Sequence, residues 1–187
     1  TLGMAHGLKC VIATAELTRD EPIHYLLVGE GAEKAELESD VERLHLANVT
    51  FLGGQPHEHI PRILNASDVI LVHLRNDPLF STVIPSKIFE AMAVAKPIVL
   101  AVEGESADIV TNAPAGVVIR PESPAELAET IRRLHSDPEL ARELGLRGRT
   151  AAEGEFCRRA AARKMLGVLS RVAGLAGEPV SRVAPDR

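Results

Sequence analysis

Residues 68–102 read DVILVHLRNDPLFSTVIPSKIFEAMAVAKPIVLAV, and how this stretch is read decides the fold. The apolar runs 68–73 and 97–102 have the usual length of a strand and are rich in aliphatic residues. Between them, residues 86–95 carry apolar side chains at helical spacing. Strand, helix and strand in succession form the unit from which parallel sheets are built.

The alternation continues on both sides. Further strands are expected at 23–28 (IHYLLV), 49–52 (VTFL) and 116–120 (GVVIR), and further helices at 32–46, 58–65, 106–112 and 124–135. Five strands separated by helices predict an α/β fold, a doubly wound parallel sheet with helices on both faces. The composition agrees with it. Among 187 residues, 45% are hydrophobic but only one is Tyr, four are Phe and none is Trp, so the core falls to Val, Ile, Leu and Ala, as in a buried parallel sheet.

Before the first expected strand, residues 7–18 (GLKCVIATAELT) read as a helix, although a helix opening such a domain normally follows a strand. The expectation is a chain cut just inside a βα turn, with its opening strand missing. After residue 135, SDPELARELGLRGRTAAE supplies an Asp-Pro start and an amphipathic helix, and 156–172 a further one. The Gly-, Pro- and charge-bearing residues 174–187 are expected to be a disordered tail.

A formal net charge of −5 argues against a nucleic-acid partner. Cys10 and Cys157 show neither disulfide-framework nor metal spacing, and a reducing cytoplasm is the default location. No run of 18 apolar residues and no signal-like leader appears, although the substrate could still be a membrane component.

In open α/β sheets, ligands bind beyond the carboxyl ends of the strands. The loops to inspect are therefore 29–31, 53–55, 74–84, 103–105 and 121–123. The loop 74–84 exceeds the usual βα length of about 2–6 residues, and it leads straight into PSKIFE. There Pro85 suits a helix start, and Lys87 then lies at the end of the helix that favours anions. A phosphate at that end would resolve the conflict: free N–H groups, the Lys87 ammonium and the Ser86 hydroxyl would share its oxygens. Glu90, on the same face, suits the two hydroxyls of a ribose. A plain surface ion pair between Lys87 and Glu90 accounts for the spacing equally well.

Other residues carry weaker signals. His6 could reach a phosphate or be a loop histidine in solvent. His57 and His59, two apart, do not share a helix face, and no metal is expected. Asp77, Glu103 and Glu105 stand in loops at the ligand edge, and Cys10 reads as a small core residue.

Beyond these spacings, FSTVIPSKIFEAMAVAKPIVLAVEGESADIV, flanked by LLVGEGAEKAEL, VTFLGGQPHEHIPRILNASDVILVHL and AGVVIRPESPAELAETI, resembles the C-terminal half of retaining nucleotide-sugar glycosyltransferases of the two-Rossmann-domain GT-B fold, group 1 or family 4. The resemblance implies a Rossmann-like nucleotide-sugar-binding domain at 1–155, a C-terminal helix at 156–173 and the tail at 174–187. It also implies a nucleoside-diphosphate-sugar donor, with a UDP-sugar foremost, an acceptor held by an N-terminal domain outside this sequence, and hexosyl transfer with retention. No further cofactor is implied.

Carried over by residue, Glu90 matches the second Glu of the family's E-x7-E motif and holds the donor ribose. Ser86 and Lys87 meet the diphosphate and assist its departure, which makes them the catalytic candidates. Gly29 and Gly31 match the V-G-x-G turn, and the turn at Gly53 and Gly54 borders the base. The sequence departs from the pattern at Thr82, which stands at the donor-sugar position in place of the first Glu. It departs again in the first turn, where His6 substitutes for an Arg/Lys pair. The PSK variant resembles transferases of bacterial cell-surface polysaccharide synthesis, for which a cytoplasmic protein, peripheral to the membrane at full length, is expected. This chain alone is expected to transfer no sugar. An oxidoreductase domain should show GxGxxG after its first strand, and none is present. A non-catalytic nucleotide or nucleotide-sugar binding module remains the alternative.

Overall fold

The computed structural model describes residues 2–173; the tail expected at 174–187 lies outside the described residues. Strands β1 (Tyr25–Val28), β2 (Val49–Leu52), β3 (Ile70–His73), β4 (Ile98–Ala101) and β5 (Gly116–Val118) are all parallel to their neighbours. The helices are α1 (Lys9–Leu17), α2 (Lys34–Arg43), α3 (Ile60–Ala66), α4 (Lys87–Ala93), α5 (Glu105–Asn112), α6 (Pro124–Ser136), α7 (Pro138–Gly154) and α8 (Arg158–Val172).

Every expected strand is present, and four are shorter than the apolar runs. The first starts two residues late because the Ile23 N–H turns back onto Glu21 O at 2.7 Å. The fourth starts at Ile98 because Pro97 has no N–H to donate, although its carbonyl accepts from Ile70 at 3.0 Å. Helix α4 also starts later than expected: Pro85 precedes the cap residue Ser86 and Lys87 is the first helical residue.

The strands form two hydrogen-bonded pieces, β1–β2 and β3–β4–β5, where one continuous sheet was expected. Residues 2–7 explain the break, because they make a 3-10 turn at Met4–His6 instead of a strand. This segment crosses from one piece to the other at their carboxyl ends. The Leu2 N–H donates to Glu30 O beyond β1, and the Arg75 N–H beyond β3 donates to Ala5 O, both at 2.9 Å.

Strand β4 is the spine of the core, with all four of its residues buried. Ile98 and Leu100 pack with Ile88 and Met92 of α4 and Val110 of α5. Val99 and Ala101 face the opposite way, onto Leu127 and Leu134 of α6 and Leu144 of α7. The β1 side has its own core, in which Tyr25 and Leu27 meet Val11, Ile12 and Ala15 of α1. Helix α6 ties the two pieces together, its Arg132 pairing with Glu21 at 2.6 Å and donating to Leu17 O at 3.0 Å.

Two helical glycines set how closely α7 approaches α4. A methyl group on Gly145 would overlap the Ala95 carbonyl just past α4, and one on Gly148 would lie 3.3 Å from the Met92 side chain of α4. This contact anchors the far end of the helix that begins with Ser86 and Lys87.

Candidate functional site

Helix α4 leaves the carboxyl edge of β3 after the long loop and brings Ser86, Lys87 and Glu90 to that edge. The backbone N–H groups of Ser86 and Lys87 have no protein acceptor among the described residues. The Ser86 hydroxyl donates to Glu90 Oε1 at 3.3 Å, so it rests on the carboxylate. Lys87 is exposed by area yet surrounded by protein on enough sides that lost hydration lowers its ammonium below the usual lysine range, with Glu90 opposing the shift. A cation held with incomplete hydration and no close carboxylate contact among the described ion pairs is suited to an incoming anion.

His6 faces the same place from the first turn. Burial lowers its imidazole most, and the nearby Lys87 charge lowers it further. His6 Nδ1 lies 3.4 Å from His73 O. The structure thus brings together four of the sequence candidates, Ser86, Lys87, Glu90 and His6.

Thr82 makes no hydrogen bond to this group among the described residues. The loop forms a 3-10 turn over Pro78–Thr82, begun by the Asp77 carboxylate accepting from the Leu79 N–H at 2.8 Å. Within that turn the Thr82 hydroxyl donates to Leu79 O at 2.8 Å. The loop is pinned from α5, where the Ser106 hydroxyl donates to Val83 O at 2.7 Å. Gly104, at φ +74°, passes so close that a side chain there would overlap the Ser81 carbonyl.

Two open cavities lie along the edge, among the first turn and the loops after β3, β4 and β5. One, of about 340 Å³, is walled by Met4, Ala5 and Glu122, and the other, of about 250 Å³, reaches Glu103 and Pro121; Arg75, Asn76, Asp77 and Phe80 border both. Asp77 thus borders both cavities and Glu103 the smaller one.

The glycine loops form the opposite flank. Gly29 adopts φ 123° and its N–H donates to Leu52 O at 2.8 Å. Gly31 lets the backbone of Leu2 approach, so its open side is filled by protein. Gly53 lies against Glu30, whose carboxylate accepts from the Gly54 N–H at 3.2 Å and from Lys34 at 3.0 Å. The Lys34 bond, followed by the Gly54 N–H, holds Glu30 below the usual carboxylate range. Sequence reasoning missed this latch between two loops; the only local signal was Lys34 four residues on.

The Cys10 thiol is pushed up to about 11 by burial, which keeps it protonated and unreactive near neutrality. His57 and His59 sit on an exposed 3-10 turn. Among the described residues no group of three or more His, Cys, Asp or Glu gathers as a metal site, and no helix is long and apolar enough to cross a membrane.

Two histidines, His6 and His73, have their pKa lowered chiefly by burial. A group with a depressed folded value contributes stability that is present above its ordinary value of 6.5 and is lost as pH falls through the folded value. Thermal unfolding should therefore occur at progressively lower temperature as pH drops below about 6.5, before the carboxylates titrate. A melting temperature constant between about pH 7 and 5 would contradict this.

Comparison with known proteins adds four findings. A family model described as "Glycosyl transferases group 1" matches residues 3–151. A protein of Escherichia coli named "Putative colanic acid biosynthesis glycosyl transferase WcaI" is 32% identical over 71% of this chain and 33% of its own length. The 2-deoxystreptamine glucosyltransferase of Streptomyces kanamyceticus is 29% identical over 73% of this chain and 34% of its own length. The chain therefore spans about one third of these curated relatives. The crystal structure of Anabaena HepE in complex with UDP-glucose superposes with a TM-score of 0.72 at 25% identity, covering 86% of this chain and 44% of that one.

Proposed function

The chain belongs to the group 1 glycosyl transferases, and from that premise we propose that it is the donor-binding half of an enzyme that moves a hexosyl group from a UDP-sugar to an acceptor, with retention. The convergence of Ser86, Lys87, Glu90 and His6 at the strands' carboxyl edge carries this reading. The unpaired N–H groups of Ser86 and Lys87, with the Lys87 ammonium, meet the diphosphate. As the glycosidic bond breaks, negative charge grows on the departing oxygen, and preorganised donors stabilise it without having to rearrange. Glu90 accepts from the ribose hydroxyls, displacing the weak Ser86 contact. Gly53 and Gly54, latched by Glu30, border the base. The sugar extends over the cavities beside Asp77 and Glu103.

The acceptor belongs to a part of the protein that precedes this chain. A parallel strand leading into Leu2 would lie between β1 and β3, each of which has a strand partner on one side only among the described residues. WcaI is described in terms of colanic acid biosynthesis, which supports a role in cell-surface polysaccharide assembly by a cytoplasmic protein resting at the membrane face. Residues 1–187 alone should bind donor and transfer nothing.

Calorimetric titration with UDP, UDP-glucose, GDP and ADP tests the reading, and failure of all four to bind would refute it. Glu90→Ala should weaken UDP about 10- to 100-fold through loss of hydrogen bonds to a charged acceptor. It should leave affinity for inorganic pyrophosphate nearly unchanged, so equal losses on both ligands would remove the ribose role.

One observation favours a second reading, a non-catalytic nucleotide-sugar sensor. Thr82 stands where the family's first Glu is expected, and its hydroxyl is spent within its own turn. Measurable turnover by the protein at its full natural length would exclude the sensor.

A further inference from the structure

His73 ends β3 and is only 5% exposed, yet the chemistry proposed above makes no use of it. Its ring bridges two loops through backbone groups alone. Nδ1 lies 2.7 Å from the carbonyl oxygen of His6, and Nε2 lies 3.2 Å from the backbone N of Glu122. These two distances determine the state of the ring. The Glu122 N–H can only donate, so Nε2 must carry a lone pair, and the carbonyl of His6 can only accept, so the proton resides on Nδ1. The imidazole is neutral, in one tautomer, with both nitrogens satisfied. Burial, which disfavours the charged ring, acts in the same direction.

The groups it joins surround the larger cavity. His6 closes the 3-10 turn whose Met4 and Ala5 form one wall. Glu122 forms another wall and adopts φ 55°, a left-handed conformation unfavourable for a residue with a Cβ. Two bonds hold Glu122 there: its N–H to the His73 ring, and its carboxylate, which accepts from the Asn76 N–H at 2.9 Å. Gly7, at φ +55°, presses on the ring, since a side chain there would lie 3.0 Å from His73 Cε1. One imidazole therefore fixes the first turn, the loop after β5 and, through Glu122, the start of the loop after β3.

We propose that His73 is a positioning residue for the diphosphate-sugar end of the donor, its neutral ring setting the first turn against the Glu122 loop so that His6 and the cavity are held in register with Lys87. The inference rests on the donor reading and deepens it. The ring itself touches neither the glycine loops nor Glu90, so its loss falls first on the diphosphate end and reaches the nucleoside end only through Leu2. The role therefore predicts a selective effect.

His73→Phe keeps ring volume and removes both hydrogen bonds. In the protein at its full natural length it should weaken UDP by about three- to tenfold, the range for loss of ordinary hydrogen bonds, while UMP, which lacks the second phosphate, changes less than about twofold. His73→Gln, whose amide offers one donor and one acceptor, should restore most of the UDP affinity. Imidazole 15N shifts of the unaltered protein at neutral pH should show the proton on Nδ1. Equal losses for UDP and UMP, no loss for either, failure of Gln to restore affinity, or a proton on Nε2 each overturns the proposal. If neither ligand binds the unaltered protein, the donor reading fails. A donor reading that holds while His73→Phe leaves UDP untouched removes this inference alone.

Discussion

In the protein at its full natural length, Lys87→Ala is expected to lower kcat for sugar transfer by about 10²- to 10³-fold, the usual consequence of removing one preorganised stabiliser of developing oxyanion charge. The KM for the donor should change much less, because the ribose and base contacts remain. The argument starts from the position of Lys87, the first helical residue of α4, close enough to His6 for its charge to be felt there and only partly hydrated. Partial dehydration is costly for a resting ammonium and useful when a leaving diphosphate gathers charge nearby. Lys87→Arg keeps the charge but replaces a compact point cation with a planar fork and should recover only part of the rate. If Lys87→Ala raised KM with kcat intact, the lysine would be a ground-state binding group and the catalytic role would be wrong.

The second large effect concerns packing at the opposite end of the same helix. Gly145→Ala should destabilise the fold by about 2 kcal/mol net, lowering Tm by about 4–8 °C. Replacing a helical glycine by alanine ordinarily gains about 0.8–1.0 kcal/mol, so propensity alone gives the opposite sign. The added methyl would overlap the carbonyl of Ala95, which with φ 54° ends α4 in a left-handed turn. Backbone cannot rotate out of the way as a side chain can, so the overlap must be relieved by moving α7 off α4. Ala95→Gly should act in the other direction, stabilising by up to about 1 kcal/mol through relief of the left-handed strain. Chemical denaturation of both variants reads the signs directly, and a Gly145→Ala protein at least as stable as the parent would refute the packing argument.

Most of the fold could be read in advance because it is local. Each apolar run from β1 to β5 became a strand, and the Asp137 carboxylate caps α7 by accepting from the Leu140 N–H at 2.9 Å, as an Asp-Pro start suggests. The group on α4 was legible for the same reason: Ser86, Lys87 and Glu90 lie within five consecutive residues, so helical spacing alone puts them together. What could not be read depends on distant pairings. His73 looks like one more residue of an apolar strand, and only the folded chain shows the backbone of residues 6 and 122 converging on its ring. Glu30 is equally inconspicuous until Gly54 is folded against it. The break between β1 and β3 follows from residues 2–7 adopting a turn, and composition cannot reveal which neighbour a strand edge lacks.

The clamp between α6 and the first helix has a consequence for how the molecule is made. Arg132 reaches Leu17 and Glu21 across sequence separations of 115 and 111 residues. Chains emerge from the ribosome amino end first, so β1, β2 and their covering helix must wait until well over a hundred residues have been translated before the helix that fastens them arrives. Contacts this distant slow folding, and an early-synthesised half left waiting is the portion exposed to chaperones and proteases in the meantime.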